Sequence, residues 1–189
     1  EAGHLQLDAD NNGDIDGVSA DFGANGLFSA IESDDTPAAT ITYTLLDSDG
    51  DTTIDALDVD DDNDGVNTVF EVDNTDLDGD PTTGVVIDTD LDAVLDYLDI
   101  DDDGDNVYTI FEVDNSDLDG DPTTGVVIDT DFDTVLDYLD VDDDGDGVNT
   151  IFEVDNADLD GDPTTGVVID TDGDTDLDYL DVDDDGDGV

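Results

Sequence analysis

The chain has 189 residues, 61 of them Asp or Glu, with no Lys, no Arg, no Cys and one His, for a formal charge of −61 at neutral pH. Nothing in it can neutralise a phosphate, which excludes nucleic acid as a partner, and no apolar run approaches the ~18 residues that span a bilayer, which excludes direct membrane insertion. The absence of Cys excludes disulfides and thiolate metal sites.

With 35% apolar and 6% aromatic residues, such a chain falls among disordered sequences unless an outside ion supplies counter-charge. Residues 1–46 read as a diverged copy of a repeat that is explicit further on. Asp8, Asp10, Asn12 and Asp16 stand 39 residues before Asp47, Asp49, Asp51 and Asp55, and Asp21, Asn25, Gly26 and Glu32 stand 39 before Asp60, Asp64, Gly65 and Glu71. Thr40-Ile41-Thr42-Tyr43-Thr44 alternates in the manner of a short strand.

From Asp47 onward the period is 41 residues. Asp78-Gly79-Asp80-Pro81-Thr82-Thr83-Gly84-Val85-Val86-Ile87-Asp88 returns from Asp119 and from Asp160, and Val69-Phe70-Glu71 returns as Ile110-Phe111-Glu112 and Ile151-Phe152-Glu153. Copies therefore span 47–87, 88–128 and 129–169, with a partial fourth at 170–189. The sequence opens without a Met or a signal peptide and stops inside a motif that is complete elsewhere, so it reads as a piece of a longer protein.

Each copy opens with a twelve-residue loop bearing acids at positions 1, 3, 5, 9 and 12. These are Asp47, Asp49, Asp51, Asp55 and Asp58; Asp88, Asp90, Asp92, Asp96 and Asp99; Asp129, Asp131, Asp133, Asp137 and Asp140; and Asp170, Asp172, Asp174, Asp178 and Asp181. Alternate residues of a tight loop point their oxygens at one centre, and a hard cation takes six to eight of them.

A second loop follows that is closer to an EF-hand. Asp60, Asp62 and Asp64 take positions 1, 3 and 5, Gly65 the sharp turn at 6, Thr68 position 9 and Glu71 the closing position 12. Asp101, Asp103, Asp105, Thr109 and Glu112 repeat the pattern, then Asp142, Asp144, Asp146, Thr150 and Glu153, and it opens again at Asp183, Asp185 and Asp187. Asn106 stands where the other copies have Gly, and Asn also reaches left-handed conformations.

A third cluster precedes the prolines: Asp76, Asp78 and Asp80; Asp117, Asp119 and Asp121; Asp158, Asp160 and Asp162. It lacks a twelfth-position acid. Oxygen cages this rich in carboxylates favour Ca2+ over Mg2+, and roughly ten to twelve ions would fit the chain. Zinc is disfavoured, since His4 is the only nitrogen ligand.

The strings Asp-Tyr-Leu-Asp-Val-Asp-Asp-Asp-Gly-Asp-Gly-Val at 137–148 and 178–189 resemble the thrombospondin type 3-like calcium-binding repeats of secreted bacterial surface proteins. The resemblance covers nearly the whole chain from Asp47. It implies an extended, extracellular, calcium-binding spacer at the cell surface, set between flanking adhesive and anchoring domains. The chain departs from animal members in lacking cysteines, and from common bacterial versions at Asp90-Leu91-Asp92-Ala93-Val94, where Gly and Pro are usual.

Apolar positions recur with the loops. Leu57, Val59, Val66, Val69, Phe70, Val72 and Leu77 become Leu98, Ile100, Val107, Ile110, Phe111, Val113 and Leu118, and Tyr97, Tyr138 and Tyr179 form another row. They predict the thin core of a stacked array in which each copy touches its neighbours. Val85-Val86-Ile87 and its copies predict short strands, and single helical turns are expected around Asn67–Glu71. The predicted fold is an irregular, loop-rich repeat array: an elongated, calcium-stapled rod with short strands, single helical turns and little regular secondary structure.

Without Lys, Arg or Cys, nucleophile–base pairs have almost no material, so a non-catalytic role is expected. The leading reading is a structural, calcium-binding spacer, stalk or filament subunit, with self-association into fibres through Thr40–Leu46 or Ala2–Leu7. A dockerin-like interaction module is the first alternative, although no amphipathic helix follows any loop. An acidic calcium-buffering or mineral-binding protein is the second, and the fixed register speaks against it.

Overall fold

The computed structural model describes residues 46–73, 75, 81–116 and 118–188. Contacts divide the chain into two units, Glu1–Leu46 and Asp47–Val189, and nearly all of the described residues belong to the second. The proposed ligands Asp8, Asp10, Asn12, Asp16, Asp76, Asp78, Asp80 and Asp117, the strand at Thr40–Thr44, the pairing segment at Ala2–Leu7, His4 and Leu77 lie outside the described residues.

Among the described residues there are no strands, one α-helical turn (α1, Thr68–Glu71) and six 3-10 turns, at Asp55–Leu57, Asp96–Leu98, Thr109–Phe111, Asp137–Leu139, Thr150–Phe152 and Asp178–Leu180. The segment is loop-rich and irregular, and no helix in it is long and apolar enough to cross a membrane.

The expected turn after the second loop forms at the same place in three copies, as α1, Thr109–Phe111 and Thr150–Phe152. The Thr68 N–H donates to the Val59 carbonyl (3.0 Å), with equivalents at Thr109–Ile100 (3.1 Å) and Thr150–Val141 (3.0 Å). The strands expected at Val85–Ile87, Val126–Ile128 and Val167–Ile169 do not form. Only the last carbonyl of each trio is recruited, Ile87 accepting from the Asp96 N–H (3.3 Å), Ile128 from Asp137 (3.3 Å) and Ile169 from Asp178 (3.2 Å). One bond per trio makes no ladder, and the valines stay exposed.

Most of the apolar rows also stay outside. Leu57, Val59, Val69, Phe70, Ile100, Ile110, Phe111 and Leu118 are exposed, and the buried apolar side chains among the described residues are Val66, Val107, Tyr97, Tyr138 and Tyr179. The expected core is thinner still because carboxylates occupy the interior. Asp62, Asp64, Glu71, Asp102, Asp103, Asp105, Glu112, Asp143, Asp144 and Glu153 are all buried.

Neighbouring copies meet through polar backbone. The Asn67 N–H donates to the Gly120 carbonyl (2.9 Å) and the Tyr108 N–H to the Gly161 carbonyl (3.0 Å). The Asn67 side-chain amide donates to the Asp119 carbonyl (2.7 Å), and the Asn115 amide reaches back to the Gly65 carbonyl (3.1 Å). A Cβ on Gly161 would run into the Tyr108 ring, and one on Gly65 would meet Ile110 Cδ1 at 2.8 Å. Val66 and Val107, next in sequence to Gly65 and Tyr108, are buried. Gly147, the counterpart of Gly65, meets nothing within 4 Å, and its neighbour Val148 is 42% exposed.

The first loop keeps its left-handed turn without glycine. Where copies 1 and 4 place Gly50 (φ 77°) and Gly173 (φ 79°), copies 2 and 3 force Leu91 (φ 66°) and Phe132 (φ 64°) into the same region. A left-handed L-residue costs about 1–2 kcal/mol, and Phe132, 85% exposed, has almost no burial to lose. Phe132→Gly should therefore stabilise the fold by about 0.5–1 kcal/mol once glycine's extra chain entropy is subtracted. Thermal unfolding of the two proteins in calcium checks this, and a lower midpoint for the variant would mean the ring has an unseen contact.

Candidate metal centre

The first loop is built from successive turns in which each Asp accepts the N–H two residues on. The Asp51 N–H donates to Asp49 Oδ1 (2.9 Å) and the Thr53 N–H to Asp51 Oδ1 (2.6 Å). The same bonds recur at Asp90 (2.9 Å) and Asp92 (2.7 Å), at Asp131 (2.8 Å) and Asp133 (2.7 Å), and at Asp172 and Asp174 (both 2.9 Å). Each carboxylate spends one oxygen on the backbone. Asp47, Asp49 and Asp51 bring carboxylate oxygens within 4.8 Å of one another, as do Asp88, Asp90 and Asp92. Asp47, Asp88 and Asp129 each keep a buried oxygen with no hydrogen-bond donor, whereas Asp170 Oδ1 accepts from the Gly173 N–H (2.8 Å).

Position 9 also braces the loop. Both oxygens of Asp96 are engaged, by the Thr89 N–H (2.8 Å) and by its hydroxyl (2.8 Å). Asp55 grips Ser48 in this way, Asp137 grips Thr130 and Asp178 grips Thr171. This brace starts the 3-10 turn at Asp96–Leu98 and its equivalents. Asp58, Asp99, Asp140 and Asp181, at position 12, accept the N–H groups of Asp60, Asp101, Asp142 and Asp183 and so join the first loop to the second. Burial raises the Asp99 carboxyl above its ordinary range, and the charges of Asp92 and Asp90 add to it.

The second loop is deeper. Asp60, Asp62 and Asp64 gather oxygens within 4.8 Å, as do Asp101, Asp103 and Asp105. The chain turns at position 6 in the left-handed region at Gly65 (φ 101°), Asn106 (φ 79°), Gly147 (φ 97°) and Gly188 (φ 81°). The Val66 N–H donates to Asp64 Oδ1 (2.8 Å), the Val107 N–H to Asp105 Oδ1 (2.7 Å) and the Val148 N–H to Asp146 Oδ1 (2.7 Å). Asp142 keeps a buried oxygen without a donor, and Asp144 and Asp185 accept from Asp146 and Asp187 (both 3.1 Å). Asp183 accepts the Gly188 N–H (2.9 Å).

Both oxygens of Glu71, of Glu112 and of Glu153 are buried without a donor. Desolvation, then the charges of Asp64 and Asp62, pushes the Glu71 carboxyl up to about 11. Burial and neighbouring acids likewise raise Asp62 to about 9 and Asp103 to about 9. Glu112 is raised by burial and by Asp105 and Asp143.

The third cluster is shallower, and Asp119, Asp121, Asp160 and Asp162 accept hydrogen bonds from the threonines that follow. The Thr124 hydroxyl donates to Asp119 Oδ2 (3.0 Å), and Thr123 donates to Asp121 Oδ1 through both its N–H (3.0 Å) and its hydroxyl (2.6 Å). Thr165 and Thr164 do the same for Asp160 and Asp162. Asp158 is exposed beside Gly166.

One set of residues escaped the sequence reading. Asp102, from the next copy, places a carboxylate oxygen within 4.8 Å of those of Asp64 and Glu71. Burial, followed by the charge of Asp64, pushes Asp102 up to about 10, and burial followed by Asp105 does the same to Asp143. Their signal was the second position of the second loop, Asp61, Asp102, Asp143 and Asp184, where an acid recurs that no single loop uses. The whole arrangement offers hard oxygens and no cationic side chain. Several of its acidic clusters could hold a metal ion.

No protein-family model matches the chain, and no curated protein and no solved structure matches it.

Proposed function

We propose that the chain is a calcium-binding structural repeat segment, an extended extracellular spacer, stalk or filament subunit of a secreted surface protein. The observation that carries this reading is the set of buried carboxylate oxygens without hydrogen-bond donors, in Asp47, Asp62, Asp64, Glu71 and their equivalents, in a chain with no Lys or Arg. An isolated buried carboxylate costs several kcal/mol, and a coordinated cation is what offsets it here. Calcium suits these cages because it accepts many oxygens in a loose shell, and millimolar extracellular calcium matches the affinity of modules of this kind.

The stapled array follows from the same material. Bonds such as Asn67–Gly120 and Tyr108–Gly161 join one copy to the next, and units linked in series in this way extend in one dimension. The residual negative charge opposes collapse. The resemblance to thrombospondin type 3-like repeats agrees with this role, and flanking domains of the same protein would supply adhesion and anchoring.

Small-angle scattering in calcium tests the proposal. The radius of gyration should lie well above the ~16 Å of a compact globule of this length. Deleting residues 88–128 should shorten the particle by one copy and leave the other loops folded, since the junction keeps the register. A globular profile would overturn the spacer reading.

A further inference from the structure

We propose that Asp102 and Asp143 are ligands of the cation held by the preceding copy's second loop, so that each such ion bridges two copies. The inference rests on the calcium reading and adds to it a site that no single loop contains.

The geometry begins with the loop itself. Odd positions of an Asp-x-Asp-x-Asp loop aim inward, so an acid at position 2 points away from its own centre. Asp102 is such a residue. Its N–H is held by the Thr109 hydroxyl (3.3 Å), as that of Asp143 is by Thr150 (3.3 Å). Its carboxylate instead meets Asp64 and Glu71, all three offering oxygens within 4.8 Å of one another.

These three are 2%, 2% and 4% exposed for Asp102, Asp64 and Glu71. Both oxygens of Asp102 and both of Glu71 have no donor, and neither has the second oxygen of Asp64. Three buried like charges drawn together with no partner leave a cation as the group that makes the arrangement favourable.

The same burial without donors recurs one period later. Glu112 and Asp143 are buried with all four oxygens unpartnered, and the charges acting on Glu112 are those of Asp105 and Asp143 first. Tyr138 is buried with its hydroxyl raised by desolvation, then by Asp102, Glu71 and Asp64, and Tyr179 by desolvation, then by Glu112, Asp143 and Asp105.

The ion would then hold copies together as well as fold one loop, which makes calcium affinity in one copy depend on the order of the next. Amide hydrogen exchange of the full chain across a calcium chloride titration tests this. In Asp102→Asn, the calcium midpoint for protection of residues 60–71 should rise about 10-fold through loss of a charged ligand, while that for 101–112 moves less. Asp101→Asn, which strikes the loop's own centre, should show the reverse.

Asp143→Asn repeats the test at 101–112, so that the result does not hang on one variant. A wild-type midpoint at 60–71 that Asp102→Asn leaves in place would overturn the bridging site and spare the calcium reading. A wild-type chain with no calcium-dependent protection anywhere would overturn both.

Discussion

Chelating calcium is expected to convert residues 47–189 from an ordered segment to an expanded, disordered chain. Circular dichroism should lose the signal of the ordered turns, and scattering should show the flexible profile of an unfolded polyanion. The magnitude follows from what the apolar interior can supply. Val66, Val107, Tyr97, Tyr138 and Tyr179 are the buried apolar side chains among the described residues, each worth about 2 kcal/mol. Ordering the backbone costs about 1–2 kcal/mol for every residue fixed. Against this stand a charge of −61 and buried unpaired carboxylates in every copy, both of which oppose folding. Each cation bound only by the folded state adds stability by mass action, about 1.4 kcal/mol at ten times its dissociation constant, and removes the repulsion between its ligands. Readdition of calcium should restore order, because binding and folding are one equilibrium. An unchanged profile in chelator would refute the calcium-dependent fold.

The local structure was legible in the sequence wherever one loop determines it. The positive φ at Gly65 and Asn106 follows from the six-position turn, and the helical turn at Thr68–Glu71 from the loop's exit. What depends on the neighbouring copy was not legible. Asp102 looks redundant beside Asp101 and Asp103 until the next copy is laid against Asp64 and Glu71. The hydrophobic rows misled for a related reason. An apolar residue at fixed spacing predicts burial only if the interior has room for it, and here carboxylates fill that space while Leu57 and Leu118 face outward. Val85–Ile87 has strand-like residues but no partner strand among the described residues, and β-propensity is realised only where a sheet surface exists to receive it. At position 9 the Ser48 and Thr89 hydroxyls at position 2 carried a cue, missed from spacing alone, that this acid also braces the loop.

With calcium chelated, acid should return part of the order. Glu71 is pushed up to about 11 and Asp102 to about 10 in the fold without a cation, by desolvation first and by neighbouring acids second. In the unfolded chain both titrate near their ordinary values of about 4. Between those limits the folded state binds more protons than the unfolded one, so stability falls as pH rises from about 4 towards about 10–11 and grows on acidification. Each group protonated when folded and ionised when unfolded contributes about 1.4 kcal/mol per pH unit across that window. Lowering the pH of the chelated protein from about 8 to about 5 should therefore compact it, since a proton does for each carboxyl part of what the ion does. In calcium the sign reverses, because protons compete with the ion for the same oxygens and apparent affinity drops with acid. Circular dichroism and scattering along both titrations read the two slopes. Equal disorder at both ends of the chelated titration would show that the buried carboxylates do not govern folding, and a pH-independent calcium midpoint would show that they do not hold the ion.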